Sequence, residues 1–321
     1  MKEAREKYLA VSGGVGGAKL CLGLASILSA DNITFVVNTG DDFEHLGLHI
    51  SPDLDTLTYT LAGLSNREMG WGRQGETWNF IAALKQFGGE SWFNLGDSDL
   101  AIHVMRTQML NSGATLTKTT AALTNSVGIK HTILPMSDDP VRTIVHSDSG
   151  DLAFQHYFVR DRCEPNVKGF SFRGSESATI SKELRACLDD PDLAGVVICP
   201  SNPYVSIDPL FAVAEFRDWV QATSLPVIAI SPIVGGEAIK GPTAKMMREL
   251  SVPASPTAVA KHYVDKIDGF VIDECDADFR DEIAALGLET IVAQSVMVTL
   301  DDRIDLAQRA IDFLRRLNRG N

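Results

Sequence analysis

Four carboxylates, Asp41, Asp42, Asp53 and Asp55, fall in the runs Gly40-Asp41-Asp42 and Ser51-Pro52-Asp53-Leu54-Asp55-Thr56, just after the apolar run Ile33–Val37. Acidic groups gathered this closely repel one another unless a proton or a cation intervenes, and oxygen donors of this kind suit a hard divalent ion. A Mg2+ site is the chemistry expected here; a solvated acidic loop capping a helix is the plainer alternative. The run Ser12-Gly13-Gly14-Val15-Gly16-Gly17-Ala18-Lys19 offers a second chemistry. Glycines between a strand and a helix let backbone N–H groups close on phosphate, where the helix dipole also favours negative charge. It is not a Walker loop, because Leu20 rather than Ser or Thr follows Lys19. Nor is it a dinucleotide fingerprint, since Lys19 stands where the third glycine belongs. Gly13, Gly14, Gly16, Gly17 and Lys19 are therefore expected to hold phosphate, against the alternative of a tight strand-to-helix turn.

Three further segments carry candidate groups. Pro200-Ser201-Asn202-Pro203 presents Ser201 and Asn202 from a loop stiffened by two prolines, which suits a phosphate or a base; Asn202 as a local cap is the alternative. Trp71-Gly72-Arg73 joins an aromatic face to a guanidinium, a pairing that stacks on flat rings, though Trp71 as core residue is as good a reading. Leu95-Gly96-Asp97-Ser98-Asp99 reads as a helix start, and three residues apart on that helix His103 and Arg106 share a face. The other histidines, His45, His49, His131, His146, His156 and His262, have no zinc spacing, and no Ser-His-Asp or GxSxG pattern is present.

The elements that must position these groups alternate. Strands are expected at Tyr8–Ser12, Ile33–Val37, Thr132–Leu134, Gly195–Cys199, Pro226–Ile230, Gly269–Ile272 and Thr290–Val292. Helices are expected at Gly17–Leu28, Thr77–Phe87, Leu100–Leu110, Pro209–Ala222, Ala277–Leu286 and Asp302–Leu317, with Ile102, Met105, Met109 and Leu110 as a buried stripe. Leu152–Arg160 reads as a more exposed antiparallel strand. This rhythm implies an α/β, Rossmann-like fold with a largely parallel sheet and helices on both faces. Residues 1–64 and 176–321 would form its core. Residues 65–175 break the rhythm and are expected as a helical or mixed insertion over the crevice. The candidate groups collect in turns beyond strand ends, where open α/β sheets bind ligands; Ser231-Pro232, Gly235-Gly236 and Asp273-Glu274 are further turns of that kind.

Bulk properties narrow the class. At 321 residues, 45% apolar and 22% charged, the chain has ordinary globular composition. A net charge of −13 disfavours non-specific binding to nucleic acid or membrane. No apolar run approaches a membrane span, the start of the chain is unlike a secretory leader, and Cys21, Cys163, Cys187, Cys199 and Cys275 form no disulfide pattern. A cytoplasmic protein is expected.

Read together, the segments resemble the phospholactate transferase family of coenzyme F-420 biosynthesis. The matching runs are SGGVGGAKL from Ser12, NTGDD from Asn38, ISPDLDTLTYTLAG from Ile50, WGRQGET from Trp71, LGDSDLAIHVMRTQML from Leu95, ILPMSDDP from Ile133, PSNPYVSIDP from Pro200 and SPIVGGEAIKGPTAK from Ser231. The resemblance implies a dimeric, Mg2+-dependent, Rossmann-like enzyme. It would move a phospholactyl or phosphoenolpyruvyl unit from a guanosine diphosphate-activated donor to the ribityl hydroxyl of 7,8-didemethyl-8-hydroxy-5-deazariboflavin, releasing GMP. It further implies that Asp41 and Asp55 are the acidic metal- and flavin-contacting positions, with Asp42 and Asp53 adjacent. The glycine loop and Ser201-Asn202 would hold the guanosine portion, and Trp71, Asn94, Asp97 and His103 would flank the flavin. Two positions depart from the family: Asn94, where some relatives carry a basic flavin contact, and Asp208, where a glycine is common. The rival reading is a non-catalytic, nucleotide-sugar-binding regulator of the gluconeogenesis-factor type, which shares this kind of fold. An NAD-dependent oxidoreductase is disfavoured by Lys19 and by the lack of a proton-relay set.

Overall fold

The apolar run Lys7–Ser12 (β1) lies inside a seven-stranded sheet, buried along all but its first residue. The computed structural model describes residues 6–66 and 72–318. The remaining strands of this sheet are Ile33–Val37 (β2), Thr132–Pro135 (β3), Leu193–Ile198 (β4), Val227–Ile230 (β5), Gly269–Ile272 (β6) and Glu289–Val292 (β7). Their spatial order is β3-β2-β1-β4-β5-β6-β7, and every adjacent pair is parallel. Such strands are covered on both faces, so they read as unbroken apolar runs rather than alternating ones. All four residues of β5 and all four of β6 are buried.

Alternation along β1 divides the core in two. Leu9 and Val11 face a layer containing Leu184, Phe216 and Tyr263, while Tyr8 and Ala10 face one containing Leu20, Leu24, Ile311 and Phe313. Helix Gly14–Ile27 (α1) and the terminal helix Leu300–Asn318 pack together in the second layer. The architecture is the expected doubly covered parallel sheet. Among the described residues no helix is long and apolar enough to cross a membrane.

Several local expectations change. Half of the acidic window is helical: Asp41 and Asp42 stay in the turn after β2, whereas Pro52–Leu61 forms helix α2, with Pro52 at its start and Asp53 and Asp55 in its first turn. Proline tolerates the first helical position and acids favour its dipole, so the same residues that suggested a metal also start a helix. Within 65–175, helices Asn79–Gln86 (α3), Asp99–Asn111 (α4) and Leu116–Ser126 (α5) are followed by β3, which belongs to the parallel sheet. The antiparallel strand expected over Leu152–Arg160 ends at Ala153, pairing within a three-stranded sheet, and His156–Arg160 is a single π-helical turn. Pro209–Ala222 is two helices, Asp208–Ala212 and Ala214–Ala222, split at the extended Val213. The stripe on α4 is also different: Met105 is 47% exposed, and the buried residues of that helix are His103 and Arg106.

Candidate functional site

A cavity of about 700 Å³ opens at the carboxyl ends of β1 and β4. There the strand order reverses, so the connections leave in opposite directions and a crevice must form between them. The β1–α1 turn supplies Gly13, Gly14, Val15 and Gly16, and the loop after β4 supplies Pro200, Ser201 and Asn202. Gly14 adopts φ +66°, which a side chain would strain, and its N–H donates to Asp53 Oδ1 at 2.7 Å. A Cβ on Gly16 would stand 2.4 Å from the Pro200 carbonyl oxygen, so only glycine lets these two loops meet. Gly13 N–H donates to Ser201 Oγ. Two of the expected phosphate donors are thus engaged within the protein, and Val15 and Gly16 bring the first-turn N–H groups of α1 to the cavity. Gly17 is buried against Ser12 and Ser201 and does not line the cavity.

The carboxylates separate into three environments. Asp41 and Asp53 line the cavity and share the Asn38 amide, whose Nδ2 donates to Asp41 Oδ1 at 3.3 Å and to Asp53 Oδ2 at 3.0 Å. Gln155 Nε2 donates to the other Asp41 oxygen at 3.2 Å. Burial, with the charges of Asp53 and Asp42 added, pushes the Asp41 carboxyl well above the usual range. Burial likewise raises Asp53 to about 6, against the opposing hydrogen bonds from Asn38 and the Gly14 backbone. Asp42 lies off the cavity wall, accepting from Ser51 Oγ at 2.8 Å and standing 3.2 Å from His49 Nε2. Asp55 lines the cavity but meets the guanidinium of Arg106 with both oxygens, one at 3.1 Å. Burial raises Asp55 more than Arg106 and His103 lower it, while Arg106 is held above its own usual range by the Asp55 charge. Because a guanidinium keeps its proton and this two-point fork needs an anionic partner, the pair is ionic.

Other sequence candidates fall on both sides of the cavity boundary. Lys19 lines it, donates from Nζ to the Met297 carbonyl at 2.8 Å, and has its pKa lowered by burial and by Arg303 and Lys240. Asn202 lines it while its Oδ1 accepts from Tyr204 N–H, so the capping alternative holds for that oxygen. Asn94 and His103 line it. Asp97 does not. Its oxygens accept from Thr77 Oγ1, the Asn79 amide and the backbone N–H groups of Asn79 and Phe80, which cap α3 from outside and pull the carboxyl down to about 2. Asp97 thus acts as a cap away from the cavity that was expected to hold the flavin. Trp71 lies outside the described residues. Sequence reasoning gave no role to Asn38, Tyr59, Asp99 or Gln155, all on the cavity wall. Asn38 and Asp99 stood in runs already singled out; Tyr59, four residues after Asp55, was legible only once α2 was seen as a helix.

Among the described residues no three His, Cys, Asp or Glu side chains converge as a metal cage. Asp41 and Asp53 nonetheless fit a magnesium ion, which commonly takes one or two carboxylates and completes its shell with water and substrate phosphate. Of the four expected carboxylates, Asp42 lies off the cavity wall and Asp55 is met by Arg106, whereas Asp41 and Asp53 line the cavity on amide and backbone donors.

Comparison with known proteins places this geometry. Residues 9–314 match the family described as 2-phospho-L-lactate transferase CofD. The chain is 36% identical over 98% of its length to a phosphoenolpyruvate transferase of Kitasatospora aureofaciens, covering 100% of that protein. It is 36% identical over 92% of its length to a 2-phospho-L-lactate transferase of Methanosarcina mazei, covering 97% of that protein. A crystal structure of a UPF0052-family protein from Bacillus halodurans superposes with a TM-score of 0.62 at 14% identity, covering 95% of this chain and 99% of that one; it shares the fold. With the family matched across the sheet, both loops and the acidic turn, the chain belongs to the 2-phospho-L-lactate transferase family and is an enzyme of that transferase type.

Proposed function

We propose that this enzyme transfers a phospho-three-carbon-acid unit, of phospholactyl or phosphoenolpyruvyl type, from a guanosine diphosphate-activated donor to 7,8-didemethyl-8-hydroxy-5-deazariboflavin. GMP leaves, and the product lies on the route to coenzyme F-420. Family membership supports the reaction class, and relatives of both names stand at equal identity, so the acid is left open between the two. The observation that carries the reading is the pair of buried cavity carboxylates, Asp41 and Asp53, which among the described residues are bonded only to amide and backbone donors. Burying two such groups is costly unless a cation or proton meets them.

In this transfer the acceptor hydroxyl oxygen bonds to the phosphorus bearing the acid, the bond from that phosphorus to the GMP oxygen breaks, and the hydroxyl proton is released to water. Such a displacement depends on positioning and charge neutralisation more than on a reactive side chain. A bound Mg2+ would neutralise charge on the diphosphate. Asp41 and Asp53 would hold it, while Asn38 and Gln155 fix their orientation. Val15, Gly16 and Lys19 would face the nucleotide phosphates, and Asp55 would accept the hydrogen bond of the incoming hydroxyl. The reading carries with it a cytoplasmic homodimer, as the family resemblance implies.

The test is mass spectrometry of the product after incubating the enzyme, Mg2+ and the deazaflavin with each activated acid in turn. One donor should give the phosphodiester adduct and GMP in equal amounts, and chelation should abolish both. Binding of a uridine sugar, with no adduct from either donor, would replace this reading with the regulator.

A further inference from the structure

The cavity wall built by α2 and α4 is held from behind by a residue that does not reach the cavity. Arg106 is 2% exposed and is not among the lining residues. Its guanidinium meets both Asp55 oxygens; Nη1 also donates to the His49 carbonyl at 3.3 Å and lies 3.3 Å from His103 Nδ1. One turn along, the Tyr59 hydroxyl donates to Asp99 Oδ1 at 2.5 Å, and His103 Nε2 stands 3.3 Å from Asp99 Oδ2. Asp55 and Tyr59 are four apart on α2, and Asp99 and His103 four apart on α4, so the contacts form two rungs between neighbouring helices. Asp55, Tyr59, Asp99 and His103 all face the cavity.

We propose that Arg106 is the positioning residue of the acceptor half of the site: its fork commits Asp55 to an incoming hydroxyl group and withholds that carboxylate from the cation. The proposal rests on the transferase reading above. Each carboxylate oxygen has two lone pairs; the fork takes one from each, fixing the plane of the group and the direction of those that remain. The guanidinium also cancels a negative charge that would otherwise add to Asp41 and Asp53 and repel the donor's phosphates. What remains facing the cavity is a fixed, charge-compensated acceptor. That suits the hydroxyl of a neutral polyol chain, not a third metal ligand. Lysine, a point charge without the fork, cannot reproduce this geometry.

The test uses the full chain with Mn2+ as a paramagnetic stand-in, titrated by electron paramagnetic resonance in the presence of GDP, alongside steady-state kinetics. Asp53→Asn should weaken Mn2+ binding by roughly tenfold or more. Asp55→Asn should leave it within about twofold, as expected for a group uncoupled to the ion, whereas Arg106→Met, which frees the Asp55 carboxylate, should tighten it. Arg106→Met should raise KM for the deazaflavin by roughly 10–100-fold, with a smaller rise in donor KM from the Asp55 charge left uncompensated. Adding Asp55→Asn to Arg106→Met should cause no further loss. If Arg106→Met fails to fold, Arg106→Lys is read in the same way, and sub-denaturing guanidinium should restore acceptor binding to Arg106→Ala. Mn2+ lost from Asp55→Asn as from Asp53→Asn, or an unchanged acceptor KM in a folded Arg106 variant, would overturn the proposal. A wild-type enzyme that gives no transfer sinks the parent reading instead, and the Mn2+ titration still decides whether Asp55 is withheld from the ion.

Discussion

Asp53 shows what burial does to a single acid on this wall. Its hydrogen bonds to Gly14 and Asn38 favour the ionised form, yet desolvation outweighs them and the group retains its proton up to about pH 6. An unfolded chain releases the same proton near the ordinary value of 3.8. The folded form therefore binds more protons between those values, and the stabilisation from this group is full below the lower value and lost as pH rises through the upper. A gap of about two units is worth about 3 kcal/mol. Metal-free protein should accordingly lose melting temperature between pH 4 and pH 7. Asp53→Asn should melt with a shallower pH slope and higher at pH 7.5, while losing transfer. Differential scanning calorimetry with a chelator present checks this; parallel slopes for the two proteins would remove Asp53 as the source.

At the scale of elements, the interface between α2 and α4 is where sequence and structure diverge most, and for one physical reason. Apolar spacing on α4 pointed to Ile102, Met105, Met109 and Leu110, but that helix turns His103 and Arg106 inward because Asp55 and Asp99 compensate them. Periodicity counts apolar residues and cannot see a buried charge whose partner comes from another helix. The strands were legible because parallel burial leaves uninterrupted apolar runs: Ile33–Val37 and Gly269–Ile272 match the sequence reading residue for residue. Helix α2 was missed because its first turn is proline and acid, which also describes a loop. The consequence is measurable. Asp55→Asn leaves the Arg106 charge buried without its anion and should cost about 3–5 kcal/mol, whereas replacing both partners by apolar residues, Asp55→Leu with Arg106→Met, should recover most of that loss. Chemical denaturation of the three proteins tests it. A double variant as unstable as Asp55→Asn would mean that the pair is needed for the fold itself. The glycine loop makes the complementary point. Gly16→Ala would push a methyl group against the Pro200 carbonyl, costing about 1–3 kcal/mol and weakening nucleotide binding in a calorimetric titration.

For the whole molecule, the strand order is what turns scattered motifs into one site. The loops after β1, β2 and β4, far apart in sequence, meet because the order reverses between β1 and β4. That convergence was readable from the alternation of strands and helices. Which side chains would stay unpaired within it was not, since that depends on Asn38, Gln155 and Arg106 reaching the acids from three different elements. Among the described residues the cavity brings four carboxylates, of which Asp55 is met by Arg106, together with backbone N–H groups and Lys19, but neither a complete metal cage nor a cation cluster strong enough to dominate a chain of net charge −13. Each ligand should therefore complete the site of the other: diphosphate oxygens fill the metal's shell, and the metal offsets the repulsion between diphosphate and acid. Mg2+ alone and GDP alone should each raise the melting temperature slightly, and the two together by more than the sum. A ligand present at one hundred times its Kd contributes about 2.7 kcal/mol, enough to resolve in a thermal scan. The synergy should fade towards pH 5, where Asp53 keeps its proton and loses its affinity for the ion, and it should be absent in Asp41→Asn at every pH. Strictly additive shifts, or synergy that survives the loss of Asp41, would mean that metal and nucleotide do not meet at this crevice.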